Sequence, residues 1–496
     1  MSRIRSNLEF SSSRRVLSYA PLAVAIVLSL ARPTHAANIV VNSADAVSEA
    51  GVCTIIDAVT AVNSQTAING CAAGDGNNDT IDLTGFTTPT TISLTQAVPM
   101  TGHALVFSNR VTINGGSGAQ TPLVTIERST VSGTDSFGLI QSSAPLMIYG
   151  LTLSNGASGP YSGGAILAGN SLTMSYCVIS DNTTDSAGGG ISSTGQTDIE
   201  HSIITGNTAG NAGGGVATNA STSIYYTTVS NNSTLGATAS SNGGGGVFSV
   251  TSVRLRNATI VGNTSASAGG GIYSSGSVNA IDSTISNNTA SNGSGGGVFT
   301  SMSGIGIGGS TLADNHAQGN GGAISGGSVD LTNSTITGNT ATGIGGGVAA
   351  YTLTSSYSTL ASNTSTGAGG GANFVSGADG QATIFYGNTP DDLATAGTTA
   401  MTGQYNIVGA TTATTPADTV SCNPMLAALS DNGGPTQTMA LQTGSCAIDA
   451  ASTTPSVSTD QRGYSRPATA STNADIGAYE AGANDPDVIF ANGFES

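Results

Sequence analysis

From residue 163 to residue 373, apolar and small positions return at a nearly fixed interval. A glycine pair or triplet followed by an apolar or small residue occurs nine times. The series runs from Gly163-Gly164-Ala165-Ile166 and Gly188-Gly189-Gly190-Ile191 to Gly345-Gly346-Gly347-Val348 and Gly369-Gly370-Gly371-Ala372. Steps are 24 to 26 residues, with one step of 31. Asparagines run in phase at 155, 182, 207, 232, 263, 288, 315, 339, 363 and 388. A period of this length implies one structural unit per repeat, stacked on its neighbours.

Within the unit the pattern alternates. Three residues before each Asn from 182 onward stands a large apolar residue, from Ile179, Ile204 and Val229 to Leu360 and Phe385. Five residues before it stands a small one, from Cys177, Ser202 and Thr227 to Ser358. Period-two alternation with β-branched residues predicts strands. Three turn signals per repeat leave no room for a helix of ordinary length. Gly and Asn are expected at the corners, where the backbone turns left-handed. Strands that recur once per coil pair in parallel about 4.8 Å apart, so ten coils make a rod of about 45–50 Å. The expected fold is all-β, a right-handed parallel β-helix, its hand following the general preference of parallel crossovers.

The flanks read differently. Residues 1–36 have the form of a signal peptide: Arg14 and Arg15, an apolar run from Leu22 to Leu30, and the small-x-small site Thr34-His35-Ala36. Residues 37–150 read as an N-terminal cap with irregular first coils. Apolar positions 55, 56, 59 and 62 there predict an amphipathic helix over the open end of the core. The repeats occupy 151–390, a C-terminal capping domain 391–482, and an acidic-aromatic tail 483–496. No later segment is long and apolar enough to span a bilayer as a helix.

Charge narrows the partners. The chain has no Lys, and beyond residue 36 six Arg face 27 acidic residues. Nucleic acid is therefore not expected as a partner. By the same charge argument anionic glycans are poor partners unless a metal bridges them, and a glycan or cell-surface component is the partner class left. Five cysteines fit an exported protein. Cys53 with Cys71 and Cys422 with Cys446 are expected as local disulfides, and Cys177, in the small inward column, as a buried thiol.

Two stretches resemble known families. Asn38-Ile39-Val40-Val41-Asn42-Ser43-Ala44-Asp45 followed by Cys53-Thr54-Ile55-Ile56-Asp57-Ala58 resembles the CSLREA domain that opens many secreted bacterial β-helix proteins, without its Arg-Glu pair. The C-terminal series is Leu429-Ser430-Asp431-Asn432-Gly433-Gly434-Pro435-Thr436-Gln437-Thr438, Ser445-Cys446-Ala447-Ile448-Asp449-Ala450, Thr459-Asp460-Gln461-Arg462-Gly463-Tyr464-Ser465-Arg466-Pro467 and Ala474-Asp475-Ile476-Gly477-Ala478-Tyr479-Glu480. It resembles the choice-of-anchor Q domain. The repeats are similar to those of the polymorphic outer-membrane protein family, but the long series of alternating ten-residue strands that a membrane barrel requires is missing. The resemblances imply an exported protein, extracellular or held at the cell surface or outer membrane.

One face stands out. Asp198 and Glu200 alternate outward on one strand, with His201 next. The following coil sets Tyr225 in the column of Glu200, and the coil after sets Arg254 and Arg256 in the columns of Asp198 and Glu200. The 31-residue step adds a longer loop around 233–243 beside them. These residues could hold a sugar or serve as an acid–base set. Asp75, Asn77 and Asp79 have the spacing that opens a Ca²⁺ loop, but Thr80 and Phe86 occupy positions that require Gly and Glu, so a turn is expected, with an irregular Ca²⁺ site as the alternative. The leading expectation is a surface that presents glycan-binding or adhesive repeats. The alternative is a polysaccharide lyase or glycoside hydrolase on the 198–256 face.

Overall fold

A computed structural model describes residues 36–483 except 117, 119, 120, 237–242, 470 and 471. All but the last residue of the expected leader lie outside the described residues, as does the tail from 484. No helix among the described residues is long and apolar enough to cross a membrane.

The chain is an all-β parallel β-helix. Its three sheets have 23, 13 and 8 strands among the described residues, and the named strands pair in parallel throughout. The coil of residues 191–215 shows the plan. Ile191–Ser193 and Thr197–Glu200 enter the largest sheet, Ile203–Thr205 the second and Thr208–Ala209 the third. In later coils the first two segments fuse into single strands such as Val348–Ser356. The large apolar column points inward as expected: Ile179, Ile204, Val229, Ile260 and their successors are buried in one continuous core.

The small column is a polar ladder. The Cys177 N–H donates to Ser202 Oγ at 3.1 Å, Ser202 N–H to Thr227 Oγ1 at 3.1 Å, and Ser283 N–H to Ser310 Oγ at 3.0 Å. Cys177 is buried in that column, and burial pushes its thiol up to about 12.

The asparagines differ from the corner role expected of them. Asn182, Asn207, Asn232, Asn263, Asn288, Asn315, Asn339 and Asn363 are fully buried. The left-handed residue is the one before each of them, as at Asp181, Gly206, Asn231 and Asp314. The buried amides form an inner ladder: Asn182 Nδ2 donates to Asn207 Oδ1, Asn207 Nδ2 to Asn232 Oδ1, and so on to Asn388, each at 2.9–3.0 Å. The turn leaves buried main-chain carbonyls without strand partners, and each amide closes one or two of them. At the first repeat the corner is Asn155 itself, with φ 61°. Gly156 holds the ladder position there, its N–H donating to Asn182 Oδ1 at 2.8 Å.

The N-terminal helix α1 spans Ile55–Ser64 and buries Ile55, Ala58, Val59, Ala61 and Val62 in the core of the rod. Thr54 caps it, accepting from the Asp57 N–H at 3.2 Å and donating to the Asp57 carboxylate at 2.8 Å. Asn63 and Asn109 tie it to the first coils through the carbonyls of Val106 and Val62. The expected disulfides Cys53–Cys71 and Cys422–Cys446 are both formed. Asp79 is buried, and its carboxylate accepts the N–H groups of Ala37, Asp75 and Gly76 at 2.9–3.3 Å, so the Asp75-Asn77-Asp79 segment is a turn built around Asp79.

The coil continues to Val408, whose N–H meets the Val420 carbonyl at 3.0 Å. The C-terminal segment then reaches beyond an end cap. Residues 422–482 turn back along the outer face of the 13-stranded sheet. Gln437 accepts from Thr311, Gln461 from Thr335, and the Ala478 N–H donates to Thr359 Oγ1. Ala447, Ala451, Ala474 and Ile476 form a second small core with Tyr357, Ala382 and Ile384 of the rod. Strands Thr311–Ala313, Thr335–Thr337 and Thr359–Ala361 are consequently buried on both faces, whereas Val178–Ser180 and Thr284–Ser286 remain open on the outside.

Buried charge organises this unit. Arg462 pairs with Asp460 at 2.7 Å between the rings of Tyr464 and Tyr479, and Arg466 pairs with Glu480 at 3.1 Å over the Tyr357 ring. Burial pushes the Glu480 carboxyl up to about 7, against hydrogen bonds from the Asp475 and Ala468 N–H groups and the Arg466 charge. Its folded value exceeds its unfolded one, so the folded state binds the extra proton between about pH 4.5 and 7, and stability falls as pH rises through that window. Amide exchange at Ala468 and Asp475 should therefore be slower at pH 5.5 than at pH 7.5 after correction for intrinsic rates, and Glu480→Gln should flatten the difference. Protection that weakens on acidification would contradict this assignment.

Candidate functional site

The largest sheet has a groove of about 460 Å³ where its outward side chains change character. Strand Thr197–Glu200 lies in register with Thr222–Tyr225, which pairs with Val253–Arg256 within Ser252–Arg256 and then with Ser277–Ile281. One outward column reads Asp198, Ser223, Arg254, Asn279 and the next reads Glu200, Tyr225, Arg256, Ile281. Inward residues between them, Ile199, Ile224 and Leu255, anchor the strands in the core and fix the outward set.

A third column forms the groove's side. Tyr176, His201 and Tyr226 sit at consecutive corners with φ of 56°, 45° and 50°. Bulky residues rarely hold this conformation, at a cost of about 1–3 kcal/mol each. Their rings stack face to face at 5.0 and 4.9 Å, within 5° of parallel, and that contact offsets part of the strain. The next corners are Asn257 and Asp282, so the stack ends at Tyr226, which is half exposed. Burial pushes the Asp282 carboxyl up against the opposing pull of Arg256.

The structure brings Glu200, His201, Tyr225, Arg254 and Arg256 together on one wall, with Tyr226, Asn279 and Ile281 completing it. Asp198 shares the face but turns aside, both carboxylate oxygens accepting from Gln196 Nε2 at 3.1 and 2.9 Å. Part of the longer loop expected at 233–243, residues 237–242, lies outside the described residues. Tyr176, Tyr226 and Asn279 were not singled out in the sequence. The signal for the aromatic pair was present, because Tyr176, His201 and Tyr226 each stand directly before a member of the small column, Cys177, Ser202 and Thr227.

Chemically the wall offers a ring face, an amide, a carboxylate and two guanidinium groups. One carboxylate, Glu200, lines the groove among the described residues, whereas glycoside hydrolysis commonly uses a pair about 5–10 Å apart. Among the described residues no group of three or more His, Cys, Asp or Glu is arranged to hold a metal ion.

No protein-family model matches the chain, and no curated protein matches it. Among solved structures, the crystal structure of pectate lyase Pel9A is similar over 90% of this chain and 96% of that one, with 14% identity and a TM-score of 0.31. A likeness at that score says nothing about the chemistry of the groove.

Proposed function

We propose that the protein is an exported β-helix that binds glycan chains through the groove between Tyr226 and Arg256, in adhesion or in contact with a cell envelope. The observation that carries this reading is the ladder Tyr176–His201–Tyr226 set beside Glu200, Arg254, Arg256 and Asn279 on a rigid sheet. Flat rings and fixed polar groups in a groove of this size are what a small polar ligand requires. The disulfides support passage through an oxidising compartment. The ordered CSLREA-like and choice-of-anchor Q-like motifs support a place among exported bacterial surface proteins.

The test is a glycan panel bound to the full chain. At least one glycan should bind, and Tyr226→Ala should weaken it about fivefold or more, the loss of about 1 kcal/mol expected when a contact ring is removed. Binding to none of the panel would sink the reading. The second reading, a polysaccharide-active enzyme, rests on Glu200 beside Tyr225 in register and His201 next in the chain. It requires unsaturated products or new reducing ends that disappear in Glu200→Ala or Arg256→Ala. Binding without turnover removes it.

A further inference from the structure

Resting on the glycan-binding reading, we propose that the groove selects an anionic sugar, one bearing a carboxylate or a sulfate, and that Arg254 and Arg256 receive its charge. The chain places six Arg beyond residue 36 among 27 acids. Arg462 and Arg466 are buried in ion pairs, and Arg128 donates to the carbonyls of Asn155 and Ser129. Arg110 is exposed on an early coil. Arg254 and Arg256 alone stand side by side on one strand, both exposed.

Their neighbours leave them free. Across the sheet Arg254 lies between Ser223 and Asn279, and Arg256 between Tyr225 and Ile281, so neither faces an acid on an adjacent strand. Asp198 and Glu200 in the same columns are two coils away, about 10 Å at the strand spacing. Asp282 lies within the field of Arg256, but neither arginine forms an ion pair among the described residues. Two like charges about 7 Å apart along a strand repel each other unless an anion sits between them. Guanidinium groups match carboxylate and sulfate oxygens in a planar fork. The adjoining Asn279 amide and Tyr226 ring supply the polar and flat contacts for the rest of the sugar. Glu200, two coils from Arg256 in the same column, bounds the anionic subsite at that end.

The test compares three tetrasaccharides of matched linkage by calorimetry on the full chain: glucuronic acid, sulfated glucose and neutral glucose. At least one anionic probe should bind about tenfold or more tighter than the neutral one, the range of a charge-assisted contact. Arg254→Ala with Arg256→Ala should bring it to the neutral level, and the double lysine variant should restore part of the preference. The two anionic probes separate a carboxylate reader from a sulfate reader. Both side chains are exposed, so a thermal melt unchanged from the parent shows that the variants fold. Equal binding of neutral and anionic probes, no binding of either anionic probe, or a preference that survives the double alanine variant overturns the proposal. Tyr226-dependent binding of neutral glycans would leave the broader glycan reading standing in each of those cases.

Discussion

Gly189→Ala should destabilise the rod by about 4 kcal/mol or more and abolish soluble expression at 37 °C, whereas Gly190→Ala should cost about 1 kcal/mol or less. The two residues are adjacent and chemically identical, so the difference lies in what surrounds them. Gly188 holds the left-handed corner at φ 74°. A Cβ on Gly189 would stand 2.6 Å from the backbone N and C of Thr208 and overlap the Gly214 carbonyl of the next coil. All of these are main-chain atoms held by the coil stacking, and none can rotate away. A Cβ on Gly190 meets the Gly215 carbonyl at 2.8 Å, Ile179 Cγ2 at 3.0 Å and Asn207 Cγ at 3.1 Å. The fold already accepts that contact, because Ala165 and Ala323 hold the same column in their own coils. Chemical denaturation of both variants beside the parent checks the prediction. Equal stability of the two would mean that the triplet is a flexible loop and not a close approach of two coils.

The same comparison shows why some of this architecture is readable and some is not. A parallel coil repeats its register, so counting from one Gly triplet to the next places Ile179 over Ile204 and Glu200 over Tyr225 and Arg256 without any structure. The wall of the groove was legible for that reason. The asparagine column was misassigned because the left-handed corner and the buried ladder are neighbours, and residues such as Asn231 and Asn232 or Asn287 and Asn288 offer the same side chain for both roles. Amide chemistry suits a left-handed turn and a buried hydrogen-bond ladder equally. Only the positions of the carbonyls above and below decide between them.

The docking of residues 422–482 left no local trace in the repeats. Thr311, Thr335 and Thr359 are covered, whereas Thr228, Thr259 and Thr284 hold the same column uncovered. Threonine serves on a wetted strand and under a polar contact alike, since its hydroxyl takes either water or a carbonyl such as that of Gln437. The information lay in the C-terminal segment, where Arg462, Arg466 and Glu480 are too charged to be buried unless they pair. The aromatic corner stack is legible as a column, because Tyr176, His201 and Tyr226 each precede a member of the small column, but its strained backbone is visible only as a dihedral angle.

Asn207→Ala should lower stability by about 3–5 kcal/mol, while Asn219→Ala, an exposed asparagine of the next coil, should change it by about 0.5 kcal/mol or less. The Asn207 Oδ1 accepts from both the backbone N–H and the side-chain amide of Asn182, at 3.1 and 2.9 Å. Its Nδ2 donates to the carbonyls of Ile179 and Thr205 and to Asn232 Oδ1, at 2.9–3.0 Å. Alanine removes all five bonds and leaves buried partners with no water to replace them, each at about 1–3 kcal/mol before relaxation. Asn207→Asp should be at least as damaging, because its second oxygen would face the Ile179 carbonyl and Asn232 Oδ1, acceptor against acceptor. Coils interact mainly with their neighbours, so lost hydrogen-exchange protection in Asn207→Ala should centre on residues 179–232 and fade toward α1 and the C-terminal unit. A uniform loss along the rod would show that the ladder acts as one cooperative element. A cost no greater than that of Asn219→Ala would show that the inner amides contribute nothing beyond filling space.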